Sequence, residues 1–170
     1  MRKATRDKLI VGNREWCSLP ELGIPAIKAR VDSGAKTSSL HAFDLELFKQ
    51  EGKDWVRFEV HPLQKNRKVS LVCECPVIDR RLVRSSSGEE ELRYVVRSRL
   101  GMKEHSWPLE LTLANRDSMG YRMLLGREAM MGRMLIDPAE SYLLGKVSEA
   151  KLAGYYGKSR LNKVGSGRVS

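Results

Sequence analysis

This sequence of 170 residues has no long apolar run, and none approaches the ~18 residues that a membrane-spanning helix needs. Its basic N-terminal segment, residues 1–9, is not followed by the apolar stretch of ~7–15 residues found in secretory signal peptides. Cysteine is scarce: Cys17, Cys73 and Cys75 are too few for a framework of several disulfides, and we expect free thiols. These absences favour a cytoplasmic protein with no membrane partner.

Motifs for metals and nucleotides are missing too. The histidines His41, His61 and His105 lie on separate segments, and no His-Glu-x-x-His pattern occurs. Cys73 and Cys75 have no second cysteine pair to complete a zinc site, and no glycine-rich phosphate loop is present. No spacing of serine, histidine and aspartate indicates a serine hydrolase. We therefore predict neither a metal ion nor a cofactor.

Aromatic residues are few, at 6% of the chain, while the net charge is +10. No aromatic-rich strand motif for stacking on bases occurs, so nucleic acid is not the expected partner. Five of the positive charges fall in residues 151–170, which contain no acid. We predict a flexible basic tail over residues 148–170, with a short helix near 149–153. A basic surface favours an acidic partner, although solubility alone is the simpler interpretation.

Apolar and polar residues alternate over much of the chain, as they do in β-strands with one buried face. The alternation is clearest at 26–31, 56–61, 69–77 and 107–114, and turn-forming residues separate these segments. A short helix is predicted at 126–134. The chain is long enough for one core and too short for two ordinary domains, so we predict one all-β domain, a barrel or a sandwich.

The strand at 26–31 stops abruptly at Asp32-Ser33-Gly34. Glycine allows a tight turn, and the serine hydroxyl can tie the loop down. The aspartate is then displayed at a fixed angle, as a catalytic carboxylate must be. An ordinary β-turn uses the same residue types, so the tripeptide alone does not separate the two interpretations.

A second stretch, Leu-Leu-Gly-Arg at 124–127, precedes the predicted short helix. Its glycine would let the strand pass close beneath another backbone loop, and an ordinary strand-to-helix corner is the alternative. In this order, Val-Asp-Ser-Gly-Ala at 31–35 and this stretch resemble the motifs of the retropepsin-like aspartic peptidases. More narrowly, a bacterial retropepsin-like group once labelled ATP-dependent zinc proteases is similar over roughly residues 10–146, most clearly at 31–42, 80–88, 110–119, 123–130 and 137–145.

The resemblance implies a single-lobe closed β-barrel with one short helix over residues 10–147, with Asp32, Ser33 and Gly34 as the catalytic motif. The chain contains only one Asp-Ser-Gly, whereas these peptidases use two facing aspartates. The resemblance therefore implies a homodimer with the site on a two-fold axis, and we place its interface at the termini and 134–145.

Single-lobe relatives also cover the active site with a β-hairpin flap. We place it at 79–94, a polar segment that is an ordinary exposed loop in the alternative interpretation.

The motif departs from retroviral relatives, in which an acidic residue after Asp-Thr-Gly-Ala pairs with the later arginine. Here that position is Lys36, so either Glu128 or another acid pairs with Arg127, or Arg127 is unpaired. Cations beside the site can bind acidic side chains of a substrate, although a single surface arginine usually just faces solvent. The predicted substrate-binding residues are Ala35, Lys36, Thr37, Arg81, Arg84, Arg93, Arg116 and Arg127.

The wider group resembles proteins associated with α-glutamate ligases, which extend the tail of a ribosomal protein with glutamates. The resemblance thus implies an aspartic endopeptidase, a hydrolase, that cleaves such acidic tails and associates with a ligase system. The alternative is a non-catalytic basic module on the same fold that binds RNA or the ribosome.

Overall fold

The computed structural model describes residues 8–84, 87–115 and 120–161 of the chain. No helix in these ranges combines the length and the apolar character that crossing a bilayer requires. Within them the chain forms twelve strands and two α-helices: β1 Leu9–Val11, β2 Arg14–Leu19, β3 Ile24–Val31, β4 Ser38–His41, β5 Phe43–Gln50, β6 Lys53–Val60, β7 Leu71–Pro76, β8 Asp79–Arg84, β9 Glu90–Met102, β10 His105–Ala114, β11 Met123–Leu125, α1 Arg127–Met130, β12 Met134–Ile136 and α2 Glu149–Tyr156.

Seven strands form the main sheet, in the order β10-β4-β11-β3-β2-β9-β8. β10 also pairs with β9, antiparallel, so the pairings return on themselves through six strands. β11 lies between β3, with which it runs parallel, and β4, with which it runs antiparallel. This order brings the end of β3 beside the end of β11. The predicted all-β class is confirmed as a mostly β fold, and closure of a barrel stays a prediction.

Two smaller sheets complete the strand pairing of the described residues. β5, β6 and β7 form an antiparallel sheet, and β1 pairs in parallel with β12. The helix α1 is shorter than the one predicted at 126–134. It ends at Met130, and Gly132 adopts a φ of 77°, which turns the chain before β12 begins.

The core is built from the inward faces of these strands. On β3, Ile27 is fully buried whereas Lys28 and Arg30 lie on the outer face, as an alternating strand requires. Cys73 and Cys75 both face the core from β7, and burial raises the pKa of each thiol to about 12. At neutral pH these two side chains are therefore protonated packing groups.

The helix α2 packs on the outer side of β3. Tyr156 is 5% exposed, and its hydroxyl donates to the Ala26 carbonyl oxygen at 2.6 Å and accepts from the Ala26 N–H at 3.1 Å. Leu63 and Val69 complete a small apolar cluster around this contact. Part of the segment assigned to a flexible tail is thus helical and in contact with the sheet. The boundary of the domain stays a prediction.

Candidate active site

Asp32 lies one residue beyond the end of β3, in a loop that is held by hydrogen bonds to β11 and by hydrogen bonds within its own turn. Its N–H donates to the Leu125 carbonyl oxygen of β11 at 2.9 Å, which extends the pairing of the two strands. Its carboxylate Oδ1 accepts from the Gly34 N–H at 3.0 Å, and its carbonyl oxygen accepts from the Ala35 N–H at 3.2 Å. The partly buried carboxylate is therefore held by its own turn at the tip of a strand.

Gly126 lies directly against this loop. A β-carbon on Gly126 would be 2.6 Å from the Thr37 carbonyl carbon and 2.8 Å from the Ser38 nitrogen, closer than real side chains approach. The Gly126 N–H donates to Ser38 Oγ at 2.9 Å. The close passage suggested by the sequence is present, and glycine is the residue that leaves room for it.

The first turn of α1 holds the other side of the loop. The Arg127 N–H donates to the Ala35 carbonyl oxygen at 2.7 Å, and the Glu128 N–H donates to the Lys36 carbonyl oxygen at 3.0 Å. The Thr37 hydroxyl donates to Glu128 Oε1 at 3.3 Å. The residues after the Asp-Ser-Gly motif are therefore anchored to the helix mainly through backbone groups, which do not depend on side-chain identity.

The guanidinium of Arg127 also contacts the loop. Its Nη1 donates to the Ser33 carbonyl oxygen at 3.0 Å. In the described part of the chain no carboxylate forms an ion pair with Arg127, so the alternative in which Glu128 pairs with it is not the one adopted. Arg127 supports the backbone of the motif, and Lys36 is exposed beside it.

Three other predicted substrate-binding arginines lie on the β8–β9 hairpin, and each has an acidic neighbour. Using one of them to bind a substrate would require the substrate to compete with that neighbour. Arg116 lies outside the described residues. The pairs on the hairpin are Arg81–Asp79 at 2.8 Å, Arg81–Glu110 at 2.9 Å, Arg93–Glu91 at 2.6 Å and Arg84–Glu90 at 3.6 Å.

The described parts of the segment expected to form a flap, 79–84 and 87–94, include the antiparallel pairing of β8 with β9. Its register runs from Asp79 opposite Val95 to Arg84 opposite Glu90. Leu82 and Leu92 stand opposite each other near the tip and are 66% and 57% exposed. The hairpin therefore carries an exposed apolar pair. Its role as a cover over Asp32 stays a prediction.

An open cleft of about 260 Å³ adjoins the Asp32 loop. One cation, Arg97 of β9, lines it, and its Nη2 lies 3.6 Å from Glu110 Oε2 on the neighbouring strand. Arg97 is not among the substrate-binding residues predicted from the sequence, because its position opposite Glu110 depends on the pairing register of β9 and β10. The cleft is lined by Thr37, Ser38, Arg97, Pro108, Leu109, Glu110, Glu128 and Ala129.

Residues 8–84, 87–115 and 120–161 contain no group of three or more histidine, cysteine, aspartate or glutamate side chains placed to hold a metal ion. The functional groups at the loop are the oriented Asp32 carboxylate, the adjacent serine, the Arg127 guanidinium and backbone groups.

A family model described as "RimB-like: Retropepsin-like aspartic endopeptidase RimB" matches residues 10–147 of the chain. A structure from Legionella pneumophila, of a protein with unknown function, has a TM-score of 0.66 and 24% sequence identity. The structural match covers 80% of this chain and 98% of the Legionella chain, and at this identity it supports the fold alone.

Two curated relatives are named "Probable alpha-L-glutamate ligase". The one from Shewanella halifaxensis is 55% identical over 159 residues, which is 94% of this chain and 35% of that protein. The one from Desulfotalea psychrophila is 56% identical over 158 residues, which is 93% of this chain and 34% of that protein. The chain thus spans about a third of the length of these relatives.

Proposed function

The chain belongs to the RimB-like family of retropepsin-like aspartic endopeptidases, and from this we propose that it hydrolyses peptide bonds with Asp32 as its catalytic carboxylate. The observation that carries the proposal is the position of that carboxylate. It projects from the tip of β3, held by the Gly34 N–H, in a loop packed against Gly126. A carboxylate that acts on water needs such a fixed orientation, because catalysis is lost when a reacting group is misplaced by even about 1 Å.

One such loop supplies one of the two catalytic carboxylates that this mechanism uses. Two facing carboxylates cannot both ionise cheaply, so a pair of Asp32 side chains from two subunits shares one proton. The ionised member takes a proton from water, whose oxygen attacks the carbonyl carbon of the peptide. The protonated member donates to the carbonyl oxygen, and a proton then passes to the leaving nitrogen as the C–N bond breaks.

The terminal strands support the proposed homodimer. Ile10 of β1 stands opposite Leu135 of β12, and these side chains are 54% and 38% exposed. The adjacent Ile136 is 37% exposed. An apolar pair on a two-stranded sheet is a surface that a second copy of the chain can bury. It coincides with the start of the predicted interface segment, 134–145.

The proposed substrate is an acidic peptide, such as a glutamate tail added to a ribosomal protein. The support is the net charge of +10 and the high identity to part of two proteins named as glutamate ligases. A hydrolase that removes what a ligase adds is chemically coherent beside that ligase. We therefore also propose that this chain works in association with an α-glutamate ligase system.

The test is incubation of the purified full chain with glutamate-tailed and untailed peptides of otherwise equal sequence, followed by mass spectrometry. We expect shortened products from the tailed peptide, none from the Asp32→Asn variant, and no effect of a chelator. Full activity of Asp32→Asn would exclude the aspartic mechanism. Activity that a chelator removes and zinc restores would replace it with a metal-dependent one.

A further inference from the structure

Two cations, Lys28 and Arg30, lie on the outer face of β3, the strand that leads into the Asp32 loop. Lys28 and Arg30 alternate with the buried Ile27 and Ala29, so they lie on the side of the strand toward which position 32 also falls. At the far end of this face Ala26 is covered by α2. The open part of the β3 outer face therefore extends from α2 to Asp32 and is positively charged.

The neighbouring strand adds a like charge directly opposite. Arg14 of β2 is the register partner of Arg30, and Trp16 is the register partner of Lys28. Like charges opposite each other on one face of a sheet destabilise it. The proximity of these two arginines therefore does not stabilise the fold. This favours the interpretation that they bind an anion from outside the chain.

These cations are held by aromatic rings and hydroxyl groups. Arg14 donates to the Tyr121 hydroxyl at 2.9 Å and to Ser141 Oγ at 3.2 Å. Lys28 Nζ lies 5.3 Å from the centre of the Trp16 ring. Both side chains, together with Lys146, also lie over the Tyr142 ring, at 5.4, 5.6 and 5.6 Å. An aromatic ring orients a cation without cancelling its charge as a carboxylate would.

In the described ranges no carboxylate forms an ion pair with Arg14, Arg30 or Lys146. Glu15, which directly follows Arg14 in the sequence, is completely buried on the opposite face of β2. It accepts hydrogen bonds from the backbone N–H groups of Gly12, Leu143 and Leu144, so it fixes the segment that carries Tyr142.

We infer that Arg14, Lys28, Arg30 and Lys146 form a basic track that binds the acidic residues of a peptide substrate beyond the bond that Asp32 cleaves. The inference rests on the proposed function and deepens it by naming the residues that select the substrate. A peptide is favoured over RNA because the Trp16 and Tyr142 rings are already covered by cations, whereas base recognition needs ring faces open for stacking. The track also leads to a carboxylate suited to peptide hydrolysis.

The test uses the two lysines, of which Lys28 lies farther from Asp32 along β3 than Arg30 does and Lys146 lies over the Tyr142 ring. Full-length Lys28→Gln/Lys146→Gln is compared with the unmodified chain on peptides that share one cleavage sequence and carry no glutamates or a run of them. We expect kcat/KM to fall about fivefold to tenfold on the glutamate-rich peptide, through KM, and less than about twofold on the neutral one. Lys28→Arg/Lys146→Arg should restore the preference, because it retains both charges.

A matched control removes the same charge elsewhere. Lys53→Gln/Lys68→Gln changes two exposed lysines, at the start of β6 and in the loop before β7, and should leave the preference intact. Added salt should weaken the glutamate-rich peptide's binding more steeply in the unmodified chain than in Lys28→Gln/Lys146→Gln, a difference that a purely structural role would not produce.

Binding to the Asp32→Asn variant separates this inference from the proposed function. If the variant binds the glutamate-rich peptide through the lysines but the unmodified chain cleaves nothing, the track stands and the peptidase proposal fails. If cleavage occurs with equal losses on both peptides, or without any effect of the lysine changes, the track is wrong. Binding of oligouridylate in preference to the peptide, lost in Lys28→Gln/Lys146→Gln, would overturn the inference and assign the surface to nucleic acid.

Discussion

At the scale of single residues, Gly126 determines how closely α1 approaches the Asp32 loop. A side chain there would meet the backbone of Thr37 and Ser38, which cannot move aside as a flexible side chain can. We expect Gly126→Ala to lower the free energy of unfolding by about 2 kcal/mol or more and to abolish activity, because overpacking displaces the loop. Urea unfolding and peptide cleavage measure the two effects.

A glycine in open space provides the control. Gly154 lies inside α2, and a β-carbon there would meet nothing within 4 Å. Gly154→Ala should be neutral or stabilise the protein by up to about 1 kcal/mol, since alanine is the better helix former. Unfolding of Gly126→Ala at the same urea concentration as the unmodified chain would show that the contact is looser than the geometry implies.

The residues of the site could be predicted to the extent that they are local in the sequence. Asp32-Ser33-Gly34 and the glycine before Arg127 are short motifs whose backbone requirements are visible in the letters. The partner of Arg127 was not predictable, because it is a main-chain carbonyl that no residue type marks. The same holds for the basic track, in which residues far apart in the sequence meet around the Tyr142 ring.

At the scale of elements, the strands that could be predicted are those with one buried and one polar face. β6 and β7 alternate between buried and more exposed residues over 56–60 and 72–76, and β10 alternates as far as Leu111, after which its last residues are all buried; all three appear where the sequence places them. β5 alternates between apolar and acidic residues only over 43–47, after which Phe48 breaks the pattern, and none of its residues is buried. β2 places the charged Glu15 on its buried face. Its carboxylate accepts hydrogen bonds there from the backbone N–H groups of Leu143 and Leu144, which the sequence of β2 does not reveal.

The helix α2 offers a prediction about pH. The Tyr156 hydroxyl satisfies both backbone groups of Ala26, so Tyr156→Phe should lower the free energy of unfolding by about 1–3 kcal/mol at neutral pH. Burial raises the pKa of Tyr156 to about 12, whereas an exposed tyrosine in the unfolded chain ionises near about pH 10. The stability that the neutral phenol contributes should therefore be complete below about pH 10 and be lost toward about pH 12.

Urea unfolding at several alkaline pH values measures this effect. The difference between the unmodified chain and Tyr156→Phe should shrink as the pH rises through that window, because phenylalanine has nothing to ionise. Tyr155→Phe is the matched control, since Tyr155 is its immediate neighbour and is 48% exposed. It should change stability little. A constant difference between the unmodified chain and Tyr156→Phe at all pH values would contradict the assignment of the alkaline loss to Tyr156.

At the scale of the whole molecule, three proposed features of the chain involve contact with another molecule. The proposed roles of the single Asp-Ser-Gly loop, of the apolar pair on the β1–β12 sheet and of the basic track each require a molecule other than this chain. A second copy would supply the facing carboxylate and cover the apolar pair, and an acidic peptide would neutralise the track. The two surfaces use different residues, because the apolar pair lies on β1 and β12 whereas the cations of the track lie on β2, on β3 and at position 146.

The homodimer itself is tested by mixing subunits. Sedimentation should give about twice the chain mass of 19.3 kDa. Co-refolding equal amounts of the unmodified chain and Asp32→Asn should produce mixed dimers in which one facing carboxylate is missing. If pairing is random, about a quarter of the dimers carry two intact carboxylates, so activity per unmodified subunit should fall to about half. Activity that instead remains proportional to the amount of unmodified chain would mean that each lobe works alone, and the shared carboxylate pair would have to be abandoned.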